Sequence, residues 1–133
     1  MQKEGTGRKI LVVDDKPESV RLLQKVLKPW GYEVIGAGSG EEAIRTVEIE
    51  LPDLILMDVR LLGGIDGLEA TRRIKAMPHL AHIPILAVTA SVRPEDELQA
   101  LDAGCSGFIS KPIDINELPK QVAIYIARAS SID

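Results

Sequence analysis

Short apolar runs alternate with longer amphipathic stretches five times along this chain. Ile10-Leu11-Val12-Val13 is uniformly apolar, partly β-branched and bounded by polar residues. A run of that length suits a strand buried on both faces of a parallel sheet. Glu33 to Ala37 is the second candidate and Leu54-Ile55-Leu56-Met57 the third. Ile85-Leu86-Ala87-Val88 is the fourth, with Pro84 ahead of it where a missing amide is tolerated. Gly107-Phe108-Ile109-Ser110 is the fifth and shortest.

Helical spacing fills the intervals. Val20, Leu23, Leu27 and Trp30 form the first stripe. Ser39 followed by Glu42 reads as a capping box for a second helix carrying Ala43, Ile44 and Val47. Leu68, Thr71 and Ile74 mark a third helix, with Arg72, Arg73 and Lys75 on a solvated face. Pro94, Leu98 and Leu101 mark a fourth, which Gly104 ends. Ile115, Leu118, Val122 and Ile126 mark the last. Pro119 is harmless there if Asn116 is the cap, because amides of the first turn are unpaired in any case. A start at Asp114 loses one hydrogen bond.

Five strand-then-helix units predict an α/β fold. Right-handed crossovers put helices on both faces of a parallel five-stranded sheet, a three-layer sandwich. The wiring expected for such a flavodoxin-like (βα)5 chain is 2-1-3-4-5. The chain's 133 residues fit one domain, with a core over about residues 9–128. The first eight residues and the last four read as loose ends. No repeat, low-complexity tract or linker interrupts the pattern.

Composition narrows the function. Sixteen Lys and Arg against 20 Asp and Glu leave a net charge of −4. That balance argues against nonspecific nucleic-acid binding, which needs a basic face. The one cysteine, Cys105, excludes an internal disulfide and a thiolate-rich metal site, and reads as a small packed residue. No run approaches the roughly 18 apolar residues of a membrane span, and none resembles a signal-peptide core. The expected setting is the cytoplasm. His79 and His82 stand in a proline-flanked loop and read as surface residues.

Ligand sites in open parallel sheets form beyond the carboxyl ends of the strands. The first strand ends in Asp14-Asp15, the third in Asp58, the fourth in Thr89-Ala90-Ser91 and the fifth in Lys111-Pro112. In the expected order the first and third strands are neighbours ~4.8 Å apart, which gathers three carboxylates. Lys111 lies two strands from Asp58, roughly 10 Å away, a gap its long stem largely closes. Three minus charges against one plus call for a further cation, since like carboxylates raise one another's pKa. An all-oxygen donor set suits Mg²⁺ or Mn²⁺ and not Zn²⁺. Mg²⁺ beside carboxylates points to phosphoryl chemistry. Asp58 is then the candidate nucleophile. Lys111 neutralises charge on the transferring group and Thr89 offers a hydroxyl to a phosphoryl oxygen.

The segments Lys9-Ile-Leu-Val-Val-Asp-Asp15, Asp53-Leu-Ile-Leu-Met-Asp58, Asp66-Gly67, Val88-Thr-Ala90 and Ser110-Lys-Pro112, taken in order, resemble the response-regulator receiver domain of two-component signalling. The resemblance covers nearly the whole chain. It implies that Asp58 accepts a phosphoryl group from a phosphohistidine on a sensor histidine kinase or a histidine phosphotransfer protein. It implies metal binding by Asp15, Asp58 and the backbone carbonyl of Arg60, with Asp14 acting through water. Thr89 becomes the switch hydroxyl, Phe108 the aromatic that follows it, and the Lys111–Pro112 bond cis. An output partner would read the face made by the fourth helix, the fifth strand and the fifth helix. The protein would be a monomer, or a dimer formed on phosphorylation, either standing alone or cut from a hybrid kinase. The loop Arg60-Leu-Leu-Gly-Gly-Ile65 departs from the pattern: it is one residue longer than is common and lacks the usual proline. Arg60 is expected to shield or pair with the acyl phosphate and alter its lifetime.

Three other functions compete. An aspartate-nucleophile phosphatase would carry its nucleophile on the first strand, in an Asp-x-Asp-x-Thr arrangement, where this chain has Asp14-Asp15-Lys16-Pro17. A flavin module needs a Ser/Thr/Gly-rich phosphate loop there, and Asp14-Asp15 would repel the phosphate. A docking module that is never phosphorylated has no use for the acidic set and Lys111.

Overall fold

The structure, a computed structural model, describes residues 7–91 and 93–130. Its elements run β1 (Lys9–Val13), α1 (Pro17–Leu27), β2 (Glu33–Ala37), α2 (Gly40–Glu50), β3 (Leu54–Asp58), α3 (Gly67–Lys75), β4 (Ile85–Thr89), α4 (Pro94–Ala103), β5 (Gly107–Ser110) and α5 (Leu118–Ser130). All strand pairs are parallel, in the order β2-β1-β3-β4-β5. This is the flavodoxin-like sandwich that the alternation predicts.

Strand side chains alternate between two cores, as a period of two requires. Ile10, Val12, Leu54, Leu56, Leu86, Val88 and Ile109 meet Leu23 and Leu27 of α1 and Leu118, Val122 and Ile126 of α5. Leu11, Val13, Ile55, Met57, Ile85 and Ala87 meet Ala43, Val47, Ala70, Ile74 and Ala100 of α2, α3 and α4. The central strands are buried on both sides, which is why they read as unbroken apolar runs.

Some helix faces differ from the sequence reading. Helix α1 stops at Leu27 and a 3₁₀ turn, Lys28–Trp30, follows it, closed by Gly31 in the left-handed region. Trp30 is therefore 40% exposed and outside the core stripe. Helix α4 does end at Gly104, but it turns Ala100 and Ala103 inward and leaves Leu98 62% and Leu101 50% exposed. Small residues let α4 approach the sheet, so its leucines are displaced to an adjoining, solvent-facing side.

The entry to α5 is capped by Asp114, not Asn116. The Asp114 carboxylate accepts the amides of Asn116 and Glu117, and its carbonyl accepts that of Leu118. Pro119 has no amide to give the carbonyl of Ile115, which delays the regular helix to Leu118. Ile115 sits in that opening turn and is exposed. At α2, Ser39 Oγ accepts the amide of Glu42, and Glu42 in return accepts the amide of Gly38 at 2.7 Å. The box closes one residue earlier than its usual form.

Lys75 is not on a solvated face. Its Nζ donates to the carbonyls of Ala81, at 2.9 Å, and Ile83, at 2.6 Å, and so staples the segment between α3 and β4. Burial lowers its pKa. Arg72 and Arg73 do face solvent, both paired with Glu69. The loose-end reading falls outside the described residues for 1–6 and 131–133. Within them, Arg8 pairs with Asp53 and accepts the Glu33 amide, and Ser130 ends α5.

Candidate functional site

The register of the sheet sets the depth of each strand end. Val13 pairs with Met57, Asp58 with Val88 and Thr89 with Ser110. Asp14, Asp58, Thr89 and Lys111 thus reach one edge. Asp14, Asp15 and Asp58 each offer a carboxylate oxygen within 4.8 Å of the others. Lys111 Nζ stands 3.4 Å from Asp58 Oδ1, so its stem spans the neighbouring strand as its length requires. A cleft of about 220 Å³ opens here, with Asp14, Asp58, Lys111 and Pro112 in its wall and Leu22 of α1 at its rim.

Backbone amides orient the acids. Asp14 Oδ1 accepts the Lys16 amide and Asp58 Oδ1 the Arg60 amide, each at 2.9 Å. Asp15 Oδ2 accepts the Leu62 amide at 3.3 Å. Asp58 and Asp14 are 5% and 9% exposed. Burial, above all, raises the pKa of Asp14; the Lys16 amide opposes this, and the charge of Asp58 adds to it. An all-oxygen donor set whose buried acid is held above its ordinary range fits a hard divalent cation, which would favour the charged carboxylates. His79, which meets Glu48, and His82 are both exposed.

On the far side of Lys111, the Lys111–Pro112 bond is cis. The Lys111 amide donates to the Thr89 carbonyl at 2.8 Å, which ties β5 to β4 beside the site. The Thr89 hydroxyl is engaged with its own turn. It accepts the Ser91 amide at 3.1 Å and lies 3.2 Å from the Ser91 carbonyl. Ser91 Oγ donates in turn to Asp96, which also pairs with Arg93. A cavity of about 330 Å³ lies behind Thr89, bounded by Phe108, Ala100, Leu68, Arg60 and Asp96. Phe108 is half-buried in that wall, and Arg60 is exposed at its rim.

Gly67 at the start of α3 has a tight fit: a Cβ there would lie 2.1 Å from the Asp58 carbonyl oxygen. Only glycine lets α3 begin so close to the strand that carries Asp58. Asp66 caps α3 by accepting the Glu69 amide at 2.8 Å. The sequence reading gathers the acids, Lys111, Thr89 and Phe108 and names Ser91 at the same edge without giving it a role, but misses Asp96 and Glu41. Glu41 accepts the Ile65 amide at 3.1 Å. Glu41 carries no local mark, since its contact joins separate segments, whereas Ser91 and Asp96 meet within the stretch that leads into α4.

The comparisons with known proteins agree with this geometry. The profile of the response regulator receiver domain matches residues 10–123. The polar-differentiation response regulator DivK of Brucella abortus is 35% identical over 122 residues, 92% of this chain and 98% of that protein. The response regulator PleD of Caulobacter vibrioides is 42% identical over 106 residues, which is 80% of this chain and 23% of that longer protein. Among solved structures, a putative response regulator from Chloroflexus aurantiacus superposes with a TM-score of 0.85 at 36% identity, over 91% of this chain and 98% of that one. The receiver domain of a sensor histidine kinase from Pseudomonas aeruginosa, with a magnesium ion coordinated in its active-site cleft, gives 0.83 at 34% identity, over 92% and 99%. The likeness runs through the strands that carry the acidic edge and through the lysine that faces it, and on that basis this chain belongs to the response regulator receiver domains of two-component signalling.

Proposed function

We propose that Asp58 is the phosphoacceptor, and that its donor is a phosphohistidine on a sensor histidine kinase or a histidine phosphotransfer protein. A carboxylate oxygen of Asp58 bonds to phosphorus as the P–N bond breaks, and the imidazole nitrogen leaves with the electron pair. Asp14, Asp15 and Asp58, with the carbonyl of Arg60, would hold Mg²⁺ or Mn²⁺. When bound, the ion offsets the charge of the acids and of the phosphoryl oxygens. Lys111 meets the same oxygens from the other side. The observation that carries this reading is the Lys111–Asp58 pair at 3.4 Å beside two further carboxylates on one strand edge.

Phosphorylation would then be read at α4. The Thr89 hydroxyl leaves Ser91 and donates to a phosphoryl oxygen, and Phe108 turns toward the cavity behind it. The β4–α4 loop shifts with them. The exposed Leu98 and Leu101 belong to the face presented to an output partner, or to a second copy. One charged group making several hydrogen bonds supplies the few kcal/mol that such a shift needs.

The test is incubation with a small phosphodonor and Mg²⁺. One equivalent of acid-stable, base-labile label is expected, absent in Asp58→Asn and in chelator. A phosphatase would release phosphate without keeping the label, and a docking module would take none; either outcome defeats the proposal.

A further inference from the structure

The loop between β3 and α3 is tied down by backbone amides at both ends. At the site end, the amide of Arg60 donates to Asp58 and that of Leu62 to Asp15. At the far end, the amide of Ile65 donates to Glu41 Oε2, in the first turn of α2, at 3.1 Å. Between the two lie Gly63 and Gly64, both at a φ of +74°. Two successive glycines give this stretch more backbone freedom than any other pair would. The Glu41 carboxylate fills the space beside Gly64, since a Cβ there would stand 2.6 Å from its oxygens. The bond to the Ile65 amide is also the first cause that lowers the pKa of Glu41.

We infer that Glu41 is a positioning residue for the phosphoacceptor site: by holding the Ile65 amide it fixes the loop that presents the amides of Arg60 and Leu62 to Asp58 and Asp15. The inference rests on the phosphoacceptor reading above. Glu41 belongs to α2 and acts on the acids only through residues 60–65. A longer, glycine-containing loop needs such an anchor, because its freedom otherwise disperses the amides that orient the acids.

The test uses the full chain with Glu41→Ala and Glu41→Gln. Mg²⁺ affinity is measured by titration calorimetry, and amide exchange at Leu62 and Ile65 by NMR without metal. Glu41→Ala is expected to weaken Mg²⁺ binding about three- to tenfold, less than the ten- to hundredfold lost when a direct partner of a metal ligand is removed, since Glu41 acts through the loop. Exchange at both amides should quicken. Glu41→Gln should restore most of both, because its amide oxygen still accepts the Ile65 N–H. Gly64→Ala, whose Cβ would crowd the Glu41 oxygens, should also weaken Mg²⁺.

Wild-type affinity in Glu41→Ala or in Gly64→Ala overturns the inference. So does an equal loss in Glu41→Gln, which would mean that the charge acts through space and not through the bond. A wild-type chain that neither binds Mg²⁺ nor takes label defeats the phosphoacceptor reading, and this inference with it. A labelled wild type beside an unaffected Glu41→Ala defeats this inference alone.

Discussion

Replacing Asp14 by Asn should make the metal-free protein more stable while removing most of its response to Mg²⁺. Asn keeps the Oδ1 acceptor that receives the Lys16 amide at 2.9 Å, so the local turn survives. It removes one of three carboxylates whose oxygens lie within 4.8 Å of one another. Two unit charges at that separation repel by about 3 kcal/mol at an effective dielectric constant of 20. Lys111 offsets part of this, and Asp15 is half-exposed and screened. The net gain expected is about 1–2 kcal/mol, a rise of roughly 4–8 °C in Tm for a domain of this size.

The pH dependence has a definite sign. The folded-state pKa of Asp14 is raised, so the native chain holds a proton that the unfolded chain has already lost. The stability from that proton is complete below the ordinary carboxylate range and is lost as pH rises through the raised pKa. Asp14→Asn should lack this component. The assay is thermal denaturation in chelator and in excess Mg²⁺, across acid and neutral pH. Mg²⁺ at a hundred times its Kd stabilises a binding protein by about 2.7 kcal/mol, and the wild type should show a shift of that order. A lower Tm for Asp14→Asn in chelator would refute the reasoning, as would an undiminished Mg²⁺ shift in the variant.

Three further outcomes follow from the same geometry. Gly67→Ala places a Cβ 2.1 Å from the Asp58 carbonyl oxygen and should cost about 1–3 kcal/mol by chemical denaturation, with slower labelling of Asp58; unchanged stability would show that α3 has room to move. Lys75→Met abandons the carbonyls of Ala81 and Ile83 and should also cost about 1–3 kcal/mol. Because the Lys75 pKa is lowered, this residue's contribution grows as pH rises through the lowered value toward 10.5, and the gap between wild type and variant should widen over that interval. Arg60→Ala should change the dephosphorylation half-life of the acyl phosphate several-fold; an identical half-life removes Arg60 from any shielding role.

The alternation of apolar runs and amphipathic stretches was enough to derive the sheet, because a strand covered on both faces leaves a local mark in four or five residues. The acidic edge was legible for the same reason. Asp58 ends its strand, the Asp14-Asp15 pair and Lys111 come just after theirs, and parallel wiring carries every such end to one side. The helix faces were less legible. Leu98 and Leu101 keep helical spacing, yet the buried side of α4 is the one with alanines, since what a helix buries depends on how near its neighbours come.

The tertiary structure alone decided the contacts between distant segments. Lys75 reads as one more surface cation until the carbonyls of Ala81 and Ile83 arrive beside it. The Thr89 hydroxyl could face the acids or its own turn, and the β4–α4 loop settles it toward Ser91. Glu41 gains its partner only because the loop after β3 folds over the start of α2. A residue's neighbours along the chain determine its element and its strand end; which atoms approach it from elsewhere depends on packing, and packing is a property of the whole chain.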